Sequence, residues 1–419
     1  MPLQTGFCFR GIVMEKTKSS FLQSVHVNPD SCIACTTCTV FCPVADVTGE
    51  FVGPKMIGPA WERFRLSGLG EDKSLSYCTN CKNCEISCPQ GVPIASINMV
   101  ARARQCEQEH PHYLRDWIVA HQELLAHLIG PVPAGIKNWS MRNPLVRLAL
   151  DGIGLAKDAA MPAYAAKRFR TQLARLSQPK CEKKVVLFPG CYMDLYDPKS
   201  GLDLVWALNR AGYEVVSDDR FACCGVPMVA SGFMEDAHKK AQTNVAVMRE
   251  YAQQGLDVLT ACPSCELMFK EEIPTFFPDV ADKDMPHILD AQEFLLQRAR
   301  EGRLEIELAR KPERPILYHA PCHLRALGIG LPGYELLDAM GIASEPANAG
   351  CCGISGSYGF KKEKRETAMK VGAELFRVVK ESGAGRVATE CGTCRLQISS
   401  TTGVPASHPV SILRSLARE

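Results

Sequence analysis

One cysteine pattern is written twice between Lys183 and Ser399, and it constrains the fold of this chain more than any other feature. The first copy runs Val185-Val-Leu-Phe-Pro-Gly-Cys191, then Cys223-Cys224-Gly225, then Cys262-Pro-Ser-Cys265. The second runs Pro315-Ile-Leu-Tyr-His-Ala-Pro-Cys322, then Cys351-Cys352-Gly353, then Cys391-Gly-Thr-Cys394. Five cysteines recurring in one order, at a period of about 130 residues, mark an internal duplication.

Each copy opens on a short apolar, β-branched run that stops at Pro or Gly just before a cysteine, as a buried strand does. A second strand-like run precedes each CxxC, at 256–261 and 385–389. Helical stretches at 237–251 and 363–380 lie between the Cys-Cys-Gly and the CxxC. Strands alternating with helices predict a mostly parallel α/β sheet in each copy, with cysteines at the carboxyl ends of strands, where such sheets place ligands. Two such lobes are expected to face each other about a pseudo-twofold axis, with the cysteine loops at the seam.

Five converging sulfurs exceed the four that a structural zinc takes, so zinc would leave one thiol over per copy. Adjacent cysteines bind one small ion poorly, but neighbouring thiolates reach different irons of a multinuclear iron–sulfur centre. That is the preferred reading over zinc or buried thiols.

The second signal lies in residues 31–106. Cys32, Cys35, Cys38 and Cys42-Pro43 have the spacing C-x2-C-x2-C-x3-C-P, and Cys78, Cys81, Cys84 and Cys88-Pro89 repeat it. In paired runs of this kind the fourth cysteine serves the other cluster. Cys32, Cys35, Cys38 and Cys88 are therefore expected to hold one [4Fe–4S] cubane, and Cys42, Cys78, Cys81 and Cys84 the other. Paired clusters relay electrons rather than catalyse. The insertion between the runs, with Gly53-Pro-Lys-Met-Ile-Gly-Pro59 and Trp61-Glu-Arg-Phe-Arg65, reads as a helix and turn packing the cluster domain, ahead of a docking loop for an electron donor. A helix is expected over 92–107, ending near a structural Cys106.

The 419 residues carry 21 cysteines, too many and too clustered for a secreted disulfide framework, and point to a reducing cytoplasm. A net charge of +2 gives no footprint for nucleic acid. No run is long and apolar enough for a transmembrane helix. Residues 1–30 read as an N-terminal extension with Cys8, and Met14 is an alternative start. Residues 107–182 form a helical linker, with helices expected over 117–129, 136–150 and 163–176. Its basic residues Lys137, Arg142, Arg147, Lys157, Lys167, Arg168, Arg170 and Arg175, beside Trp117 and Trp139, are open to two readings, helices packed against the cluster domains, which is the commoner case for such patterns, and contact with an anionic membrane surface. Cys181 reads as a bystander. His319 and His323 flank Pro321-Cys322, where either is able to donate a hydrogen bond to a cluster sulfur or simply pack. Nucleophile triads, a Walker loop and a dinucleotide fingerprint are all missing, so substrate oxidation is expected on another subunit. No catalytic residue is assigned.

The two ferredoxin runs followed by two Cys-Cys-Gly modules resemble a family of iron–sulfur subunits. It includes those of heterodisulfide reductase, those of glycolate and lactate oxidases, and the C subunit of anaerobic glycerol-3-phosphate dehydrogenase. The 53–63 loop, Cys223-Cys-Gly-Val-Pro-Met-Val-Ala-Ser-Gly-Phe233, Thr243-Asn-Val245 and Cys351-Cys-Gly-Ile-Ser-Gly-Ser-Tyr-Gly-Phe-Lys-Lys362 carry the likeness, which is greatest to the last-named members. The resemblance implies an electron-transfer role, linking a flavoprotein that oxidises glycerol 3-phosphate to membrane quinone, with the chain held peripherally on the cytoplasmic face of the inner membrane. It also implies one or two noncubane [4Fe–4S] clusters, on Cys191, Cys223, Cys224, Cys262 and Cys265 and on Cys322, Cys351, Cys352, Cys391 and Cys394. The expected architecture is thus α+β and α/β: a helical two-cluster domain (31–106), the linker, and lobes at 183–310 and 311–419. The alternatives are a glycolate or lactate oxidase iron–sulfur subunit and a catalytic, heterodisulfide-reductase-like subunit. A metal-storage role sits poorly with the ferredoxin runs.

Overall fold

The computed structural model describes residues 25, 27–68 and 72–418. The expected N-terminal extension, with Cys8 and Met14, lies almost wholly outside them. The ferredoxin-type domain is built on α1 (Ile94–Gln108), whose residues Ile94 to Ala101 are all buried. The insertion between the cysteine runs folds as Met56–Ala60 and Trp61–Leu66, with Ile57 and Pro59 buried. Glu62 pairs there with Arg65 at 3.0 Å and with Arg104 of α1 at 3.2 Å. The insertion packs the domain, as its composition predicted.

The linker holds α2 (Tyr113–Ala120), α3 (Gln122–Leu128), α4 (Ala134–Arg142) and α5 (Pro144–Gly152). Two expected helices are each split. One breaks at His121, whose ring bonds the Trp117 carbonyl at 2.9 Å. The other breaks at Asn143, which is extended because a proline follows and whose side chain caps Leu145 N–H at 2.9 Å. The helix expected over 163–176 is irregular chain as far as Arg168 and is helical only over Phe169–Leu173. Arg168 and Arg170 both reach the buried Asp194, and Phe169 is fully buried in the first lobe, so tertiary contacts override local propensity here. The linker does not merely separate the metal regions. Leu155 forms an antiparallel bridge with Lys361, and Arg115 pairs with Glu363 at 2.7 Å, strapping it to the second lobe.

The first lobe runs β1 (Lys183–Phe188), α6 (Gly190–Leu195), α7 (Pro198–Arg210), β2 (Tyr213–Val216), α8 (Met234–Gln253), β3 (Val258–Thr260), α9 (Pro263–Leu267), β4 (Ile288–Asp290) and α10 (Ala291–Arg300). The second runs β5 (Ile316–Tyr318), α11 (Cys322–Leu327), α12 (Pro332–Ala339), β6 (Ser344–Pro346), α13 (Arg365–Glu381), β7 (Arg386–Ala388), α14 (Gly392–Thr402), β8 (Ala406–Ser407) and α15 (Pro409–Leu416). Both sheets are parallel, in the orders β2-β1-β3-β4 and β6-β5-β7-β8, so the duplication extends to topology. On β1, Val185 and Leu187 pack against α7 and α10, while Val186 and Phe188 pack against α8 and the ferredoxin-type domain. Burial on both faces explains why this run is continuously apolar.

The lobes meet by exchange of equivalent elements: α7 packs on α15, and α12 on α10. The CxxC helix of each lobe touches the helix that follows the other lobe's first cysteine. Thus α9 lies on α11, and Arg395 of α14 pairs with Asp197, just beyond α6, at 2.7 Å. This is the expected pseudo-twofold, and it brings the cysteine loops to the seam.

Candidate metal centres

Two small cavities lie inside the N-terminal domain. One is lined by Cys32, Cys35, Cys38 and Cys88, the other by Cys42, Cys78, Cys81 and Cys84. Each takes three sulfurs from one loop and the fourth from the other. The loops achieve this with the same device: Ala34 and Thr36, like Asn80 and Lys82, have φ between +56° and +70° on either side of the middle cysteine. Left-handed backbone at non-glycine residues is costly and persists where surroundings require it. Here it curls each loop around a common space. Donors already face the sulfurs, with Asn98 Nδ2 3.4 Å from Cys78 Sγ and Val92 N–H 3.4 Å from Cys88 Sγ. Burial pushes the Cys42 thiol up to about 11 and Cys81 up to about 12. Pockets that disfavour bare thiolates, yet converge four of them, fit a cationic iron centre that supplies the compensating charge.

Each repeat lobe gathers its five cysteines at the carboxyl end of its sheet. Cys191 Sγ is 3.8 Å from Cys223 Sγ, and Cys352 Sγ is 3.2 Å from Cys394 Sγ. All cysteines among the described residues are free thiols. The Cys-Cys-Gly turn needs its glycine: φ is +101° at Gly225 and +81° at Gly353, and a Cβ at Gly353 would lie 1.9 Å from the Ala368 carbonyl oxygen. Hydrogen bonds from Cys191 and Cys322 hold the Cys223 and Cys351 thiols well below their usual range. The hydrogen bond from Cys394 brings Cys391 down to about 6. Thiols arranged to share protons so unequally suit deprotonation on metal binding, so these donor sets also fit an iron–sulfur centre.

The four sets form a connected series. Cys38 lies near enough to Cys42, Cys351 to Cys81, and Cys391 to Cys262 for the charge of one to act on the other. His323 sits where three regions meet. Its Nε2 donates to the Asn80 carbonyl at 3.0 Å and its Nδ1 bonds Ser264 Oγ at 2.8 Å. Both nitrogens are therefore committed, so of the two readings open for His323 the structure has the packing one. His319 remains beside the second-lobe cysteines, lowered to about 4 by burial.

Several residues of the site escaped the sequence. Glu123, from the linker, accepts from Cys223 N–H at 2.9 Å and from Lys240 at 3.0 Å. Asn80 donates to Glu272 at 2.5 Å, and Ser355 to the Thr79 carbonyl at 2.9 Å, fixing the ferredoxin loop against both lobes. Single polar residues far apart in sequence carry no spacing signal. Cys106 packs under Gly232 and Cys181 is half-buried, both outside the four sets. Of the linker cations, Arg147 is spent on the carbonyls of Ala156 and Lys157, and Arg168 and Arg170 on Asp194. These three do not face a lipid surface.

Comparison with known proteins agrees with this geometry. A 4Fe-4S dicluster domain family matches residues 28–92, and a cysteine-rich domain family matches 185–270 and 316–399. The C subunit of the anaerobic glycerol-3-phosphate dehydrogenase of Escherichia coli K12 is 35% identical over 391 residues, covering 92% of this chain and 97% of the relative. The chain belongs to the family of anaerobic glycerol-3-phosphate dehydrogenase C subunits. More distant relatives are the B subunit of a fumarate reductase (CoM/CoB) of Methanothermobacter marburgensis and the glycolate oxidase iron-sulfur subunit of Escherichia coli K12. The first is 25% identical, covering 88% of this chain and 67% of the relative. The second is 22% identical, covering 78% and 80%. The glycolate oxidase protein represents a related family only.

Proposed function

We propose that this chain is the iron–sulfur electron-transfer subunit of a membrane-associated glycerol-3-phosphate dehydrogenase, passing electrons from a flavoprotein subunit toward membrane quinone. The observation that carries the reading is the packing of the two cysteine-lined cavities and the two repeat-lobe cysteine groups against one another, with Ser355 on the Thr79 carbonyl and His323 on both Asn80 and Ser264, starting from a first set whose Cys35 is exposed. Bound there, iron–sulfur centres supply one-electron exchange with little rearrangement. Cys32, Cys35, Cys38 and Cys88 hold the first cubane; Cys42, Cys78, Cys81 and Cys84 hold the second. The five cysteines of each lobe hold a noncubane centre. Cys35 is exposed, and Ile33, Val40 and Phe41 around it are 59–75% exposed, an apolar rim suited to the flavoprotein.

The α4–α5 hairpin is the membrane contact in this reading. No residue of either helix is buried, and Trp139, Leu145 and Leu148 are 62–77% exposed beside Lys137 and Arg142. No helix among the described residues is long and apolar enough to cross a membrane. Attachment is therefore peripheral, through apolar area and attraction to anionic lipid on the cytoplasmic face.

An anaerobic pull-down tests the reading. Recovery of a flavoprotein that reduces the chain with glycerol 3-phosphate supports it. Purified chain that reduces a disulfide with a dye donor, and recovers no flavoprotein, would instead favour the catalytic alternative.

A further inference from the structure

We propose that His319 is a metal ligand of the second lobe, so that this centre takes five sulfurs and one imidazole nitrogen where the first lobe offers five sulfurs alone. The inference rests on the iron–sulfur reading above and concerns how the two lobes differ. Strand register identifies equivalent positions. Phe188 lies opposite Thr260, two residues before Cys262, and three residues before Cys191. His319 donates its N–H to the Ala388 carbonyl, which sets it beside Thr389, two residues before Cys391, and it too lies three residues before its lobe's first cysteine.

The duplicated fold therefore has Phe at this place in one copy and His in the other. Phe188 fills its position by packing on Phe221 and Phe269, with ring centroids 5.2 and 5.1 Å away. The position needs no polar atom for packing. His319 is only 1% exposed, yet neither ring nitrogen has a hydrogen-bond partner among the described residues. Leaving buried polar atoms unpaired forfeits their hydrogen bonds to water, so such atoms call for an explanation. His323, four residues on, has both nitrogens satisfied.

The missing partner lies in one direction. A ring nitrogen of His319 and the sulfurs of Cys352 and Cys394 all lie within 4.8 Å of one another. Donors of this kind around one metal, with bonds of about 2.0–2.3 Å, stand roughly 3.3–4 Å apart. The three are thus gathered nearly to coordination distance. Beside them, Nε and Nη2 of Arg325 are also buried without a partner, which suits an anionic centre in the same space. An imidazole bound to iron alters the reduction potential of its centre, since ligand identity is one of the levers that set it. The two repeat centres then differ in potential.

Crystals of the full-length chain, purified anaerobically and measured at the iron absorption edge, test the assignment. The expected map has iron about 2.1 Å from one His319 ring nitrogen, with only sulfur ligands in the first lobe. Iron held by the five second-lobe cysteines, with His319 beyond about 3 Å, overturns the ligand assignment alone. Absence of iron from both lobes overturns the iron–sulfur reading with it. In solution, His319→Phe copies the first lobe's residue. It should shift the potential of one centre, or release that centre's iron, while the other centres keep their iron and potentials. Unchanged potentials at full iron content would overturn the proposal.

Discussion

At Gly353 a single missing methyl group decides whether the second Cys-Cys-Gly turn can form. Gly353→Ala adds a Cβ both to a left-handed residue and against the Ala368 carbonyl. We expect a loss of about 3 kcal/mol or more in denaturant unfolding, whereas Gly212→Ala, with φ of +86° but open space, should lose only about 1 kcal/mol. Equal losses would show that the clash is relieved. A second residue-scale effect depends on pH. Burial alone would lower His110, but hydrogen bonds with Asp116 and Cys106 outweigh it and lift it to about 9. A raised histidine stabilises the fold fully below its unfolded value near 6.5, and that stabilisation disappears as pH rises through 9. It contributes about 1–2 kcal/mol after solvent screening. Wild type should lose this increment between pH 6.5 and 9.5 in urea unfolding, and His110→Gln should not. Among the cysteines, Cys32→Ser should remove a cubane EPR signal while Cys106→Ser leaves every cluster in place. A bleached cluster in Cys106→Ser would refute the ligand sets.

Elements were legible where chemistry fixed a register and illegible where tertiary contacts chose the conformation. The strands ending at a cysteine loop, β1, β3, β5 and β7, follow from their apolar runs. The edge strands are short, and β6 reads Ser-Glu-Pro and is partly exposed, so nothing in its sequence announces it. The 163–176 stretch has helical spacing, but the buried Asp194 binds Arg168, whose backbone is extended, and Arg170 in the short helix that follows. The α4–α5 hairpin carries the element-scale prediction. Lys137→Glu with Arg142→Glu should weaken sedimentation with anionic vesicles by about thirtyfold at low salt, each cation near the surface being worth about 1 kcal/mol. High salt should narrow the difference, and Trp139 should retain part of the binding. If both proteins sediment equally at every salt, this hairpin is not the contact. Arg147→Glu is the wrong variant for this purpose, since it strips the carbonyls of Ala156 and Lys157 of their donor.

Across the whole molecule, the duplication and the two ferredoxin runs were visible in the sequence, because cysteine spacing is a direct image of ligand geometry. How the parts dock was not. The His323–Asn80 bond, the Asn80–Glu272 bond and the Glu123 support of Cys223 join residues more than 90 positions apart. These contacts turn four cysteine sets into one series, and that continuity is the central claim. Iron and acid-labile sulfide analysis of the chain, purified and kept anaerobic, tests it most directly. Two cubanes with a four-iron centre in each repeat lobe require about sixteen irons per chain, with matching sulfide. Eight irons or fewer would contradict it, because the duplicated cysteine geometry of the lobes would then serve no electron path.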